Sequence, residues 1–180
     1  AAAFLGIRQY NKNASSATST TEDTQETVLD VNSDDITSFR YVYEGETYAF
    51  EKKDETWYYT DDHSLNLNQE RIKAMILKVA PLKADQVIEN VTDMSQYGLA
   101  DPERTIQYET ADRSVIINVG NLNSMTSQYY IAFPSEMKVY VVTTNVVTGF
   151  NYTLDDLVMT EYVNREGRLL KYPQDKKVGN

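Results

Sequence analysis

The sequence contains no cysteine. This absence excludes disulfide bonds, thiolate nucleophiles, iron–sulfur clusters, cysteine zinc sites and lipoprotein acylation within these 180 residues. The seven glycines are scattered, and they form neither a phosphate-cradling loop nor a dinucleotide-binding fingerprint. Because there is one histidine, any mechanism led by histidine would have to use His63.

Basic residues are also scarce. Against 27 Asp and Glu there are 17 Lys and Arg, which gives a formal net charge of -10 and a pI near 4.6. We therefore expect no nucleic-acid partner, and an anionic membrane surface is equally unattractive. Residues 161–180 are the exception, since they are polar and locally basic, and we expect a solvated tail there. The basic residues of this tail are Arg165, Arg168, Lys171, Lys176 and Lys177.

A long apolar run is absent as well. The apolar residues Ala1–Ile7 are far fewer than the roughly 20 that span a bilayer. They are interpreted as the distal end of a signal anchor, as residues left by signal-peptide cleavage, or as a frayed terminus. The Ser- and Thr-rich residues 14–27 cannot bury enough apolar surface to become ordered, which predicts a flexible tether. The predicted organisation is a stub and tether at 1–27, a folded domain at 28–160, and the tail.

Aromatic residues dominate the start of the domain. Tight turns at 44–45 and 53–54 predict a three-stranded antiparallel meander whose aromatic side chains share one face. We expect a one-residue displacement of either turn to scatter these side chains over both faces. The predicted pairs are Phe39–Phe50, Tyr41–Tyr48, Phe50–Trp57 and Tyr48–Tyr59.

A helix is predicted directly after the meander. Asn68, or Asn66 with Gln69, can cap its first turn, and Pro81 ends it. Apolar residues recur at i, i+3, i+4 and i+7, so they form one stripe that we expect to cover the aromatic face. The stripe consists of Ile72, Met75, Ile76 and Val79.

A second strand-rich unit follows, at about 104–158. A turn near 111–112 predicts one hairpin, a polar link spans 120–127, and a second hairpin follows at 128–142. Both faces of the second hairpin are apolar, which predicts a central position in the sheet, and Thr144 is predicted to cap a short helix. With a first unit at about 36–91, the pattern indicates an imperfect internal duplication. The predicted fold class is α+β, with two related units of antiparallel meander plus helix in one compact domain.

Candidates for chemistry are few. His63 lies in the sequence Asp61-Asp62-His63-Ser64, which links a strand to a helix and favours a turn, with a weak metal site as the alternative. The acidic pairs at 34–35 and 155–156 lie where helix starts or turns are expected, and neither resembles a calcium loop. We therefore predict no catalytic residue, no metal ligand and no cofactor.

The 14 tyrosines suggest one binding hypothesis. An exposed aromatic ladder of Tyr41, Tyr48, Trp57 and Tyr59 would form a platform for a small molecule or a glycan. The helix that follows must bury its stripe, so burial of the ladder is the favoured interpretation.

Three segments of the sequence resemble segments typical of the bacterial family labelled domain of unknown function 4340. They are Thr56-Trp57-Tyr58-Tyr59, the helix after Leu67, and Tyr97-Gly98-Leu99-Ala100-Asp101-Pro102 followed by a hairpin. The resemblance covers roughly Val28 to Met159. It implies an exported protein or one held by an N-terminal membrane segment, with several relatives encoded beside ABC transporter auxiliary components. It implies no catalytic residue.

The function expected from these observations is a membrane-tethered, extracytoplasmic interaction domain without enzymatic activity. Its partner would be a membrane protein, most simply a component of an ABC-type transport system. Two alternatives stay open at this point. One is a small-molecule or glycan-binding module that uses a tyrosine-rich cleft, and the other is a carboxylate-dependent hydrolase.

Overall fold

The computed structural model describes residues 25–163, 167 and 169–173. Every pair of neighbouring strands in this part of the chain is antiparallel. The strands are β1 Glu26–Leu29, β2 Ile36–Tyr43, β3 Glu46–Lys53, β4 Thr56–Tyr59, β5 Leu82–Ala84, β6 Gln86–Ile88, β7 Arg104–Thr110, β8 Ser114–Asn123, β9 Gln128–Ala132, β10 Val139–Thr143, β11 Met159–Val163 and β12 Leu169–Pro173. The helices are α1 Gln69–Ile76, α2 Thr144–Thr148 and α3 Leu154–Leu157, with 3-10 turns at Ser33–Asp35 and Ser95–Tyr97.

One eight-stranded sheet organises the domain, with the strand order β4-β3-β2-β7-β8-β9-β10-β6. Strand β1 pairs with β5, and β11 pairs with β12, in two small separate sheets. The main sheet therefore consists of two meanders, β4-β3-β2 and β7-β8-β9-β10, with β6 added beside β10. The meanders are joined along the β2–β7 pair, which we call the seam. The α+β class is confirmed, whereas a repeat relation between the two meanders stays a prediction.

The first meander has the predicted aromatic face but not the predicted second turn. Phe39 lies opposite Phe50 and Tyr41 opposite Tyr48, as expected. The second turn is centred on residues 54–55, both at positive φ as a tight hairpin requires, and it pairs Phe50 with Tyr59 rather than with Trp57. Moving a turn by one residue changes the pairing by two residues. The side chains therefore keep their faces, and the expected scattering was wrong.

Helix α1 begins as predicted, but it ends at Ile76, before Val79 and Pro81. The Asn68 side chain accepts a hydrogen bond from the Arg71 N–H at 3.1 Å, which caps the first turn. The whole apolar stripe is buried and belongs to the same core as the aromatic face of the first meander. The favoured burial is thus confirmed for Trp57, which is 3% exposed, and Tyr41, which is 0% exposed, while Tyr48 and Tyr59 are half-buried.

The second hairpin is not central. The middle of the main sheet is the β7–β8 pair, while β9 and β10 lie toward the end that β6 closes. Ala132 and Val139 are nevertheless buried on the outer face, where they pack with Val91 and Leu99 from the segment before β7. Both faces of the hairpin are covered, as its two-sided apolar pattern indicates, but a loop covers the outer face and the hairpin lies off the middle of the sheet.

Further boundaries differ from expectation. The polar link at 120–127 is shorter, because β8 continues to Asn123 and pairs with β9. Thr143 rather than Thr144 is the N-cap of α2. Strand β1 starts at Glu26, inside the expected tether, and pairs with β5, and residues 161–163 and 169–173 of the expected tail belong to the β11–β12 hairpin. The stub and most of the tether lie outside the described residues, and within the described part no helix is long and apolar enough to cross a bilayer.

Candidate interaction surface

The four aromatic residues of the ligand hypothesis share the inner face of the first meander. Tyr41 and Trp57 are buried, and Tyr48 and Tyr59 are half-buried. The Tyr41 hydroxyl donates to the Tyr152 carbonyl at 2.9 Å, and burial raises the pKa of that hydroxyl above its ordinary value. Two of the four rings are therefore withdrawn from solvent, and a ligand role for this face stays a prediction.

His63 lies outside the core, at the open face of the first meander. Its Nε2 lies 2.6 Å from the Glu51 carboxylate, and its ring lies 5.2 Å from the Tyr58 ring. Glu51 also pairs with Lys53 at 3.0 Å, and that hydrogen bond is the main cause that lowers the pKa of Glu51. The neighbouring Ser64 donates its N–H and hydroxyl to Asp62, which is the local bonding of a turn. The Glu51 partner was missed because it lies on another strand.

The acidic side chains are exposed or half-buried. None of the Asp or Glu side chains in the described part of the chain is buried. The pKa is lowered for Glu51, Asp62 and Asp93, mainly by hydrogen bonds, whereas a general acid at neutral pH needs a raised value. The described residues also contain no group of three or more His, Cys, Asp or Glu that could hold a metal. The alternative function, a carboxylate-dependent hydrolase, stays a prediction, and these carboxylates add no support to it.

The element Tyr97-Gly98-Leu99 builds a support on the outer face of the sheet. Asp93 accepts the Ser95 N–H at 2.9 Å and starts the 3-10 turn, which Gly98 closes at φ 70. Leu99 then enters the small outer core, and the Tyr97 ring packs edge-on against Tyr130 at 5.0 Å. The left-handed conformation of Gly98 thus directs two apolar side chains onto the second hairpin.

Strand β8 passes very close to this support. A Cβ atom on Gly120 would clash with the Tyr97 carbonyl, and one on Gly98 would clash with the Asn121 side chain. Two glycines far apart in sequence therefore permit one close contact between the 3-10 turn and β8. This contact fixes the base of the hairpin that continues beyond it.

The end of this hairpin exposes two large apolar side chains. We call the four residues Leu122–Met125 the β8–β9 tip. Met125 is 95% exposed and Leu122 is 48% exposed. Asn123 organises the tip, because its side chain accepts the Met125 N–H at 3.1 Å and donates to the Tyr130 hydroxyl at 3.2 Å. The two exposed apolar side chains are thus presented on a hydrogen-bonded base that the Tyr97 ring supports.

The charge pattern distinguishes this tip from the other exposed apolar residues. The segment 114–135 contains no Asp, Glu, Lys, Arg or His, in a chain that is 24% charged. Leu77 and Met137 are each 59% exposed, but Lys78 adjoins the first and Glu136 and Lys138 flank the second. Depletion of charge is the compositional mark of the centre of a protein interface. This uncharged run was the sequence signal for the site, but from the sequence it was interpreted only as strands and a polar link.

Comparison with known proteins supports one assignment. No curated protein and no solved structure matches this chain. A family model described as "Domain of unknown function (DUF4340)" matches residues 57–171, from β4 into β12, which is more than half of the chain. The matched region contains the Tyr97-Gly98-Leu99 support and the whole β8–β9 tip. The chain belongs to the family described as domain of unknown function DUF4340.

Proposed function

We propose that this domain is a non-enzymatic interaction module that acts outside the cytoplasm, as an accessory to an ABC-type membrane transport system. The observation that carries the proposal is the β8–β9 tip, where exposed Leu122 and Met125 lie in a segment without charge. Apolar anchors on a rigid base lose little conformational entropy on binding, so they suit a protein partner. The partner proposed is an integral membrane subunit of the transporter.

The test uses the full-length gene product in its native host. Wild-type protein is compared with a Leu122→Asp, Met125→Asp variant by cross-linking in cells followed by purification from membranes. A Leu77→Asp, Met137→Asp variant is the matched control, because it places the same charges at two other exposed apolar positions. We expect a transporter subunit to co-purify with wild type and with the control. The amount of that subunit recovered with the tip variant should be at least tenfold lower.

Two outcomes would overturn the proposal. One is recovery of the full-length protein in the cytosolic fraction. The other is a set of cross-linked membrane proteins that is the same for the tip variant and for wild type.

A further inference from the structure

A cleft of about 410 Å³ lies at the end of β8 opposite to the β8–β9 tip. Its walls come from three parts of the chain. These are β1, with Val28 and Leu29; the start of β8; and the loop between β9 and β10, with Phe133 and Pro134. A volume of this size falls within the range of ordinary ligand pockets.

One wall of the cleft is an unpaired strand edge. The Thr110 N–H donates to the Arg113 carbonyl at 2.9 Å, which closes the β7–β8 hairpin. Hydrogen-bonded and non-bonded pairs alternate in an antiparallel ladder, so Val115 bonds to β7 while the backbone of Ser114 and Ile116 points away from it. Among the described residues, none pairs with Ser114 or Ile116 on that side.

Strand β9 leaves this edge open because it ends early. Its pairing with β8 extends only to Asn118 opposite Ala132. Phe133 and Pro134 then turn away toward β10, and Pro134 has no N–H to donate. The gap between the diverging strands is the cleft.

The remaining walls are apolar, with one charge of each sign at the rim. The Phe133 and Tyr140 rings pack edge to face at 5.2 Å, and the Tyr140 hydroxyl donates to Glu136 at 2.7 Å. Arg113, at the start of β8, is exposed and also lines the cleft. The cleft thus combines a strand edge, apolar surfaces and two opposite charges.

We infer that this cleft binds an extended peptide segment of a partner protein by strand addition to Ser114–Ile116. A peptide backbone alternates donors and acceptors at the spacing that this edge presents, whereas an acyl chain would leave these groups unpaired. Three residues of a strand span about 10 Å, so a short segment suffices. Apolar side chains pack against Phe133 and Val28, and charges at the two ends of the segment pair with Arg113 and Glu136.

The first measurement is amide hydrogen exchange by NMR on the described domain with its native flanking residues. In the free protein we expect the Ser114 and Ile116 amides to exchange at least tenfold faster than those of Val115 and Ile117. The probe for binding is a displayed library of random heptapeptides. A selected peptide should protect the Ser114 and Ile116 amides when it is added as a synthetic molecule.

Variants test the edge directly. Ile116→Pro removes the N–H that faces the cleft and no bond to β7, and Ile116→Ala keeps that N–H as the matched control. We expect Ile116→Pro to weaken binding of the selected peptide at least tenfold, and Ile116→Ala to weaken it less than threefold. Arg113→Glu changes only an exposed side chain, and it should weaken the binding of peptides with an acidic end. This variant replaces Ile116→Pro in the test if Ile116→Pro does not fold.

Several results would overturn the inference. They are equal exchange of the four amides in the free protein, a library that yields no binder, and binders that neither Ile116→Pro nor Arg113→Glu weakens. The inference is independent of the proposed function, since Leu122→Asp, Met125→Asp should leave peptide binding at the cleft unchanged.

Discussion

A glycine can be required for either of two physical reasons: a positive φ, or a neighbouring atom too close for a Cβ. Three glycines of this chain illustrate the two reasons. Gly45 is at φ 79 with open space around it, so an added Cβ meets nothing and only the backbone conformation is strained. Gly98 combines positive φ with the Asn121 side chain, which can move. Gly120 faces the Tyr97 carbonyl, a backbone atom that cannot move without shifting the whole support.

The residue-scale prediction follows from this order. We expect Gly45→Ala to lower the free energy of unfolding by about 1 kcal/mol and Gly120→Ala to lower it by about 3 kcal/mol. Gly98→Ala should fall between them. Urea denaturation of the three variants measures the series, and a Gly120→Ala protein as stable as Gly45→Ala would refute the close contact.

Single residues also explain where sequence reasoning failed. Asp54 and Glu55 both adopt positive φ, which is uncommon for residues other than glycine and asparagine, so the turn was placed one residue too early. The Glu51–His63 pair was invisible because its partners come from a strand and a later turn. Local propensity predicts which residues turn, but tertiary packing decides the conformation and the partner.

At the scale of elements, the end of the main sheet is closed by a side chain. Strand β4 has no further strand beside it in the described part of the chain. The Gln69 amide takes that place, since its oxygen accepts the Trp57 N–H at 2.8 Å and its nitrogen donates to the Trp57 carbonyl at 3.0 Å. An edge strand with satisfied backbone groups is a poor template for another chain.

We expect Gln69→Ala to destabilise the protein by about 2 kcal/mol, because it leaves both backbone groups of Trp57 unpaired. It should also promote self-association through β4. Gln107→Ala is the control, since Gln107 accepts a hydrogen bond from Arg40 at 2.7 Å on the exposed face and supports no edge. Thermal melting and light scattering over a range of concentrations measure both effects, and a Gln69→Ala protein that behaves like the control contradicts the assignment.

Elements with a strong local signal could be predicted, whereas their arrangement could not. The first hairpin and the start of helix α1 were correct because turn residues, alternation and the Asn68 cap all agree. The position of the second hairpin was wrong because two-sided apolar strands indicate coverage and not what covers them. The β8–β9 tip could not be predicted from the sequence, because only the pairing of β8 with β9 shows that this segment is the exposed end of a hairpin.

At the scale of the whole molecule, the seam joins two meanders whose internal strand pairings are local. Each meander is built from strands adjacent in sequence, while the seam pairs Phe39 with Tyr108 and Tyr41 with Ile106. One core contains buried side chains from both meanders, so neither has a complete interior alone. The two halves are therefore joined by two strand pairs, the seam and β6–β10, and by one shared interior.

This division means that the domain should survive interruption of its chain. A break between residues 89 and 90 separates β1–β6 with α1 from β7–β12 with α2 and α3, and it cuts no strand. We expect the two pieces to complement each other when co-expressed, and to co-purify as a one-to-one heterodimer with a single unfolding transition. Each piece alone should lack cooperative unfolding, and a half that folds independently would make the protein two domains rather than one.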